Sequence, residues 1–267
     1  MLEIFQHDFM IRAFAAGIVT AVIAPAIGLF LVTRRYAFLA DTLAHVSFAG
    51  VAAAAITGTQ PIIASLVASI GAALCVERLR ETRTVLGESA LSLFLSGGLA
   101  LAAVLLSIAP GASTGLSGLL FGSIATVTGE DLWLIGTLGG AVIVTIALLY
   151  RPLFCISLDE ELALAGGLPA GWINRLLIVL AAVTVSVSMR VVGVLLVGAL
   201  MVIPVLAAMQ WERSFLKTFF LSVGISLLST CIGLVVSYYL GIASGGTIVL
   251  VCIAFFLLGV LRKRLAA

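Results

Sequence analysis

Of the 267 residues 63% are apolar and only 10% are charged, with a mean hydropathy of +1.31. A soluble domain carries about 25% charged residues, so this chain has too little polar surface to face water and enough apolar surface to face lipid. Its net charge of +2 comes without a basic tract or aromatic–basic interleaving, so there is no footprint for nucleic acid.

Crossing about 30 Å of hydrocarbon takes about 20 apolar residues in a helix. The first candidate, Ala13 to Thr33, follows Arg12 without a charge. It exceeds a signal-peptide core of about 7–15 residues and reads as a span that stays. Eight more follow at roughly 37–56, 61–77, 89–109, 132–150, 172–189, 191–210, 218–240 and 246–261. The sixth is cut short by Arg175 and Arg190, and the ninth is short as well. Turn chemistry separates spans at Gly58 to Pro61, Pro110-Gly111 and Gly241 to Gly246. The expectation is an all-α polytopic integral membrane protein of eight to nine transmembrane helices, folded as a single transmembrane domain over 1–267.

Basic residues gather on the cytoplasmic side. Nine spans with the N-terminus outside put Arg34, Arg35, Arg78, Arg80, Arg83, Arg151, Arg175, Arg213, Lys217, Arg262, Lys263 and Arg264 inside, against Arg12 and Arg190 outside. That split is 12 to 2. If the sixth candidate does not cross, it becomes 8 to 6, so the asymmetry favours nine. Residues 110–131 hold no basic residue, are Gly- and Ser-rich, and turn apolar at Leu116 to Val127. Too short to cross, that stretch reads as re-entrant or interfacial.

Asp41 and His45 lie inside the second span. Four residues apart, they share one helix face, with Ala37, Ala49 and Ala53 continuing it. An ionisable residue in a span costs at least ~2.5–3.5 kcal/mol on insertion scales, so the face should point into protein or a pathway. Carboxylate oxygen with imidazole nitrogen suits a divalent transition metal. Two ligands are too few, and a two-fold dimer would supply four. An internal Asp–His hydrogen bond that packs the helix or relays protons is the plainer reading of the pair taken alone.

Other polar positions have plainer readings. Glu88 opens the fourth span near Arg80 and Arg83 as a solvated charge. Glu130 and Asp131 open the fifth, where a helix N-terminus favours carboxylates. Cys75, Cys155, Cys231 and Cys252 form no CxxC pair and read as small hydrophobes. Gly115-Leu116-Ser117-Gly118 matches the GxSG of rhomboid proteases. The two histidines, His7 and His45, both lie upstream of it, where no rhomboid base stands, so no enzyme is expected. In the loop Arg151 to Arg175, Asp159-Glu160-Glu161 opens a Leu/Ala body that Gly166-Gly167-Leu168-Pro169 closes, the signature of one short capped helix. No GxxxxGK[ST] occurs, so the chain has no P-loop for ATP.

Taken together, these segments resemble the permease subunits of the bacterial ABC importers for zinc, manganese and iron, over nearly the whole chain. Four ordered motifs carry the resemblance. Arg34-Arg35 with Ala37 through His45 is similar to RR-x-A-L-x-G-D-A-L-S-H. Phe121-Gly122-Ser123-Ile124 is similar to FGSIL. Asp159-Glu160-Glu161 through Gly167 is similar to DEE-x-A-x-x-x-G, and Val191 through Pro204 to VVGxLLVxALLxxP. Ala40 stands where the family has Gly, and Arg190 where a neutral residue is common.

The resemblance implies an assembly of two permeases, two cytoplasmic P-loop ATPases and an extracytoplasmic metal-binding protein, in the bacterial cytoplasmic membrane. It implies a metal pathway at Asp41 and His45 and a cytoplasmic coupling helix at about 157–170, with Asp159, Glu160, Glu161 and Gly167 engaging the ATPase. No cofactor bound by this chain is expected: the metal is cargo and the ATP is used by the partner. A self-sufficient secondary metal transporter or channel is the alternative.

Overall fold

A computed structural model describes residues 7–82, 87–108, 116–122, 127–211 and 213–266, and every regular element among them is a helix. In chain order these are α1 Asp8–Thr33, α2 Ala37–Thr57, α3 Pro61–Glu81, α4 Gly87–Ile108, α5 Leu116–Phe121, α6 Gly129–Leu148, α7 Tyr150–Leu158, α8 Glu160–Ala165, α9 Ala170–Val192, α10 Val197–Met209, α11 Phe215–Leu240 and α12 Ser244–Ala266. Arg83, Pro110-Gly111, Gly115 and Ser123-Ile124 lie outside the described residues.

Local chemistry sets the ends. Pro61 opens α3, where a missing N–H costs nothing, and Gln60 Oε1 accepts from the Ile63 N–H at 3.0 Å. α2 and α11 stop at Gly58 and Gly241, both in the left-handed region. α1 stops in a Schellman turn: the Tyr36 N–H bonds the Leu31 carbonyl at 2.7 Å and the Arg35 N–H bonds Val32 at 3.0 Å. Arg35 itself holds the left-handed position, at φ 60°, where Gly is usual.

Eight helices, α1, α2, α3, α4, α6, α9, α11 and α12, are long and apolar enough to cross a membrane. In α1, α2, α9 and α10 most side chains are buried, and these helices form the interior. α4 and α6 turn Leu93, Leu99, Leu101, Trp133, Val144 and Leu148 outward, as a lipid-facing shell requires. Cys75 and Cys155 are exposed and Cys252 is buried; all four are free thiols.

The sixth and seventh spans differ from the sequence-based expectation. α9 does not stop short at Arg175 and Arg190 but runs through both to Val192. Each arginine has a carboxylate partner, Glu81 at 3.3 Å and Asp131 at 3.7 Å, so neither has to end the helix to find a counter-charge. The chain then breaks at Gly193 (φ +89°), and α10 is only 13 residues, about 20 Å at 1.5 Å per residue. A half-length helix is tolerated within a membrane only where protein surrounds it. Gly28 supplies such a contact on α1: a Cβ there would stand 1.9 Å from the Met201 carbonyl oxygen.

α10 nevertheless returns the chain to the end where α1 finishes. Phe215, at the start of α11, packs its ring on Phe30 (5.5 Å between centroids) and Phe154 (4.8 Å). Arg262 stacks over Trp211 at 3.9 Å, and Arg80 over Tyr36 at 4.9 Å. One end of the bundle thus gathers the basic residues assigned to the inside, as far as they are described. The break between α9 and α10 lies toward the other end. There Leu195 N–H bonds the Leu120 carbonyl at 3.2 Å, and Gly122, Gly193 and Gly245 let α5, the break and α12 touch backbone to backbone. α5 is the described core of the segment read as re-entrant.

Candidate functional site

Asp41 and His45 sit on consecutive turns of α2, and both are half-buried. The face they share is turned toward the start of α10. A Cβ at Gly198 would come within 1.9 Å of Asp41 Oδ1, so the carboxylate rests in a notch that only a hydrogen atom leaves open. Gly198 belongs to the first turn of a 13-residue helix, whose N-terminal partial positive charge favours an anion.

The two side chains interact through their charges, carboxylate with imidazole. His45 Nδ1 is buried and makes no hydrogen bond among the described residues. Among them the Asp41 carboxylate accepts none either, and no Asp41–His45 hydrogen bond forms. A packing role would need such bonds, because a buried polar group without one costs free energy. No third His, Cys, Asp or Glu joins the pair within the described chain. One copy therefore offers one oxygen and one nitrogen, an open and incomplete ligand set. Gly198→Val should press on the Asp41 carboxylate and lower metal uptake about tenfold or more without loss of membrane insertion; uptake in vesicles against protein level checks this.

The residues at the basic end divide into three roles. Asp159 caps α8 through Oδ1, which accepts from the Leu162 N–H at 2.9 Å. Glu160 turns inward, its Oε2 taking Nη2 of Arg34 at 2.7 Å and its Oε1 taking Nδ2 of Asn174 at 2.7 Å. Glu161 points to solvent with Leu162 and Leu164, while Leu158 and Trp172 stand exposed to either side. Gly167, at φ +81°, closes α8 in a Schellman turn, with Leu168 N–H to Ala163 at 3.1 Å and Gly167 N–H to Leu164 at 2.9 Å. The short capped helix read from the sequence is present, and its outer face is an apolar strip beside an acid.

Elsewhere the carboxylates serve structure. Asp131 is buried in a capping box with Thr128 and accepts from Gln60 at 3.2 Å. Glu88 is exposed, and Arg80 turns to Glu77 at 2.8 and 3.0 Å instead. Glu77, 2% exposed, and Asn174 escaped the sequence reading. A single charge near a span end carries no signal of burial, and Asn174 reaches its partner only through folding. Gly198 was legible only as one letter of an apolar motif. Gly115 of the GxSG match lies outside the described residues.

The ABC 3 transport family matches residues 6–263. A protein of Treponema pallidum (strain Nichols) named "Probable metal transport system membrane protein" is 36% identical over 253 residues, 95% of each chain. The manganese import system permease protein ScaB of Streptococcus parasanguinis is 30% identical over 95% of this chain and 90% of its own. Among solved structures, PsaBC from Streptococcus pneumoniae in complex with Fab superimposes with a TM-score of 0.87 at 29% identity, covering 96% of this chain and 92% of that one. The match runs across all the spans, the half-length α10 and the α8 loop, and this chain is a multi-pass membrane permease that belongs to the ABC 3 transport family.

Proposed function

We propose that this chain is the permease subunit of an ABC importer that carries a divalent transition metal, manganese first among them, across the bacterial cytoplasmic membrane. The observation that carries the reading is the Asp41–His45 pair in the notch of Gly198, with His45 Nδ1 buried and free of hydrogen bonds among the described residues. Keeping such a pair inside a span without hydrogen bonds is costly unless a ligand uses it. Two copies meeting about a two-fold axis would bring two carboxylates and two imidazoles to one ion. Oxygen and nitrogen donors suit manganese, iron and zinc alike, and the relatives named for manganese favour that metal. Incomplete ligation suits passage, since an ion held too tightly would not leave.

With no P-loop in its sequence, the chain draws its driving force from a separate ATPase. The exposed Leu158, Leu162, Leu164 and Glu161 on and beside α8 form the surface for that partner. An extracytoplasmic metal-binding protein delivers the ion at the opposite end. The chain itself is not an enzyme and binds no cofactor.

The test is uptake of radioactive manganese into vesicles holding the permease with its cognate ATPase, with metal-loaded binding protein supplied on the extracytoplasmic face. Uptake should require the intact P-loop lysine of the ATPase and be competed by unlabelled manganese. Undiminished uptake with the P-loop variant would assign the chain to the secondary transporters.

A further inference from the structure

Arg34 ends α1 at the basic end, and its side chain is only 7% exposed. A guanidinium in that position needs its donors satisfied. Nη2 donates to Glu160 Oε2 at 2.7 Å, Nη1 donates to Asn174 Oδ1, and Asn174 Nδ2 donates to Glu160 Oε1 at 2.7 Å. Three side chains from α1, α8 and α9 thereby close a ring. It needs a planar fork, because one arm holds the acid and the other the amide.

Beyond the ring, Tyr36 lies between two guanidinium groups, Arg34 at 5.4 Å and Arg80 at 4.9 Å from its centroid. Arg80 in turn grips the buried Glu77 of α3 through both carboxylate oxygens. Tyr36 immediately precedes α2, and only Arg35 separates it from Arg34. That turn has little slack. Its Schellman hydrogen bonds are both formed, and Arg35 occupies a left-handed conformation that residues with a Cβ adopt only at a cost. Asp41 follows Tyr36 by just over one helical turn.

We infer that Arg34 is the positioning residue through which α8 sets the placement of α2, and with it the Asp41–His45 pair. A shift of α8 moves Glu160, Glu160 carries Arg34, and the tight turn passes the movement to the metal-pathway helix. Asn174 and the Tyr36–Arg80–Glu77 chain give that movement a fixed frame on α9 and α3. The inference rests on α8 being the ATPase-docking element.

The experiment uses the complete complex in liposomes: permease, ATPase and metal-loaded binding protein. It measures assembly, basal ATP hydrolysis, stimulated hydrolysis, and metal ions moved per ATP. R34Q should assemble and keep basal hydrolysis, while ions moved per ATP fall about tenfold, a usual size for coupling between sites, and E160Q should lower ions moved per ATP to the same degree. The double variant should be no worse than either single one, because both remove the same link. R34K keeps the charge and the stem but loses the fork, so it should assemble like wild type and still lose coupling severalfold. An R34K complex with wild-type ions per ATP overturns the proposal. So does an R34Q complex whose uptake and hydrolysis fall together because the ATPase no longer assembles, which would make Arg34 a scaffold for α8. Failure of the underlying reading looks different: the wild-type complex itself would then move metal without ATP.

Discussion

Asp41→Ala and His45→Ala should each reduce metal uptake by about a hundredfold or more while the protein still inserts and pairs. Loss of groups that merely support a metal ligand already costs 10–100-fold, and in a two-fold assembly each substitution removes two donors at once. The geometry sharpens the expectation. Because neither side chain makes a hydrogen bond among the described residues, alanine leaves few partners stranded. The fold should therefore tolerate the change better than it would the loss of a buried polar network. Uptake of radioactive manganese, normalised to protein in the membrane and to dimer content, measures the effect. Asp41→Asn with His45→Gln decides between the two readings of the pair. It preserves size and the capacity to hydrogen-bond but weakens ligation, so it should transport as poorly as the alanine variants. Wild-type uptake by that double variant would return both residues to packing.

The second large effect is expected at α8. Glu160→Lys and Glu161→Lys combined with Gly167→Pro should leave the spans inserted but cut metal transported per ATP about tenfold or more. Each change strikes a different support. Glu160→Lys sets a cation against Arg34, Glu161→Lys inverts the outward charge, and proline can neither adopt φ +81° nor supply the N–H that bonds Leu164 at 2.9 Å. Measuring ATP hydrolysis and uptake on one preparation checks it. A triple variant that assembles with its ATPase and transports normally would remove α8 from the coupling route. The Arg34 variants probe the other side of the same helix, since they leave its outward face intact.

Glycines at close contacts show what letters alone could not convey. Gly198, Gly193 and Gly245 are three among 27 glycines. Sequence singles out Gly193 by family resemblance and Gly245 only as part of a turn, and gives Gly198 no mark of its own, whereas folding presses each against another segment, the carboxylate of Asp41 or the backbone at Val192 and Phe121. Their need for a missing Cβ is created by the neighbour and has no local signature.

Apolar runs of membrane length, the placement of lysine and arginine, and the four-residue spacing of Asp41 and His45 are local properties, set by the hydrocarbon thickness and by the helical repeat. The amino-acid sequence by itself therefore determined the all-helical membrane fold, the basic end, the placing of Asp41 and His45 on one face and the short capped helix α8. Only the tertiary structure decided that α9 runs through Arg190 and α10 is half a span, because the apolar run from Val191 to Pro204 reads the same with or without a break. Tertiary structure also joined Arg34 to Glu160 and Asn174, 126 and 140 positions away. A hydrogen bond depends on position in space, and chain separation says nothing of it until the helices have packed.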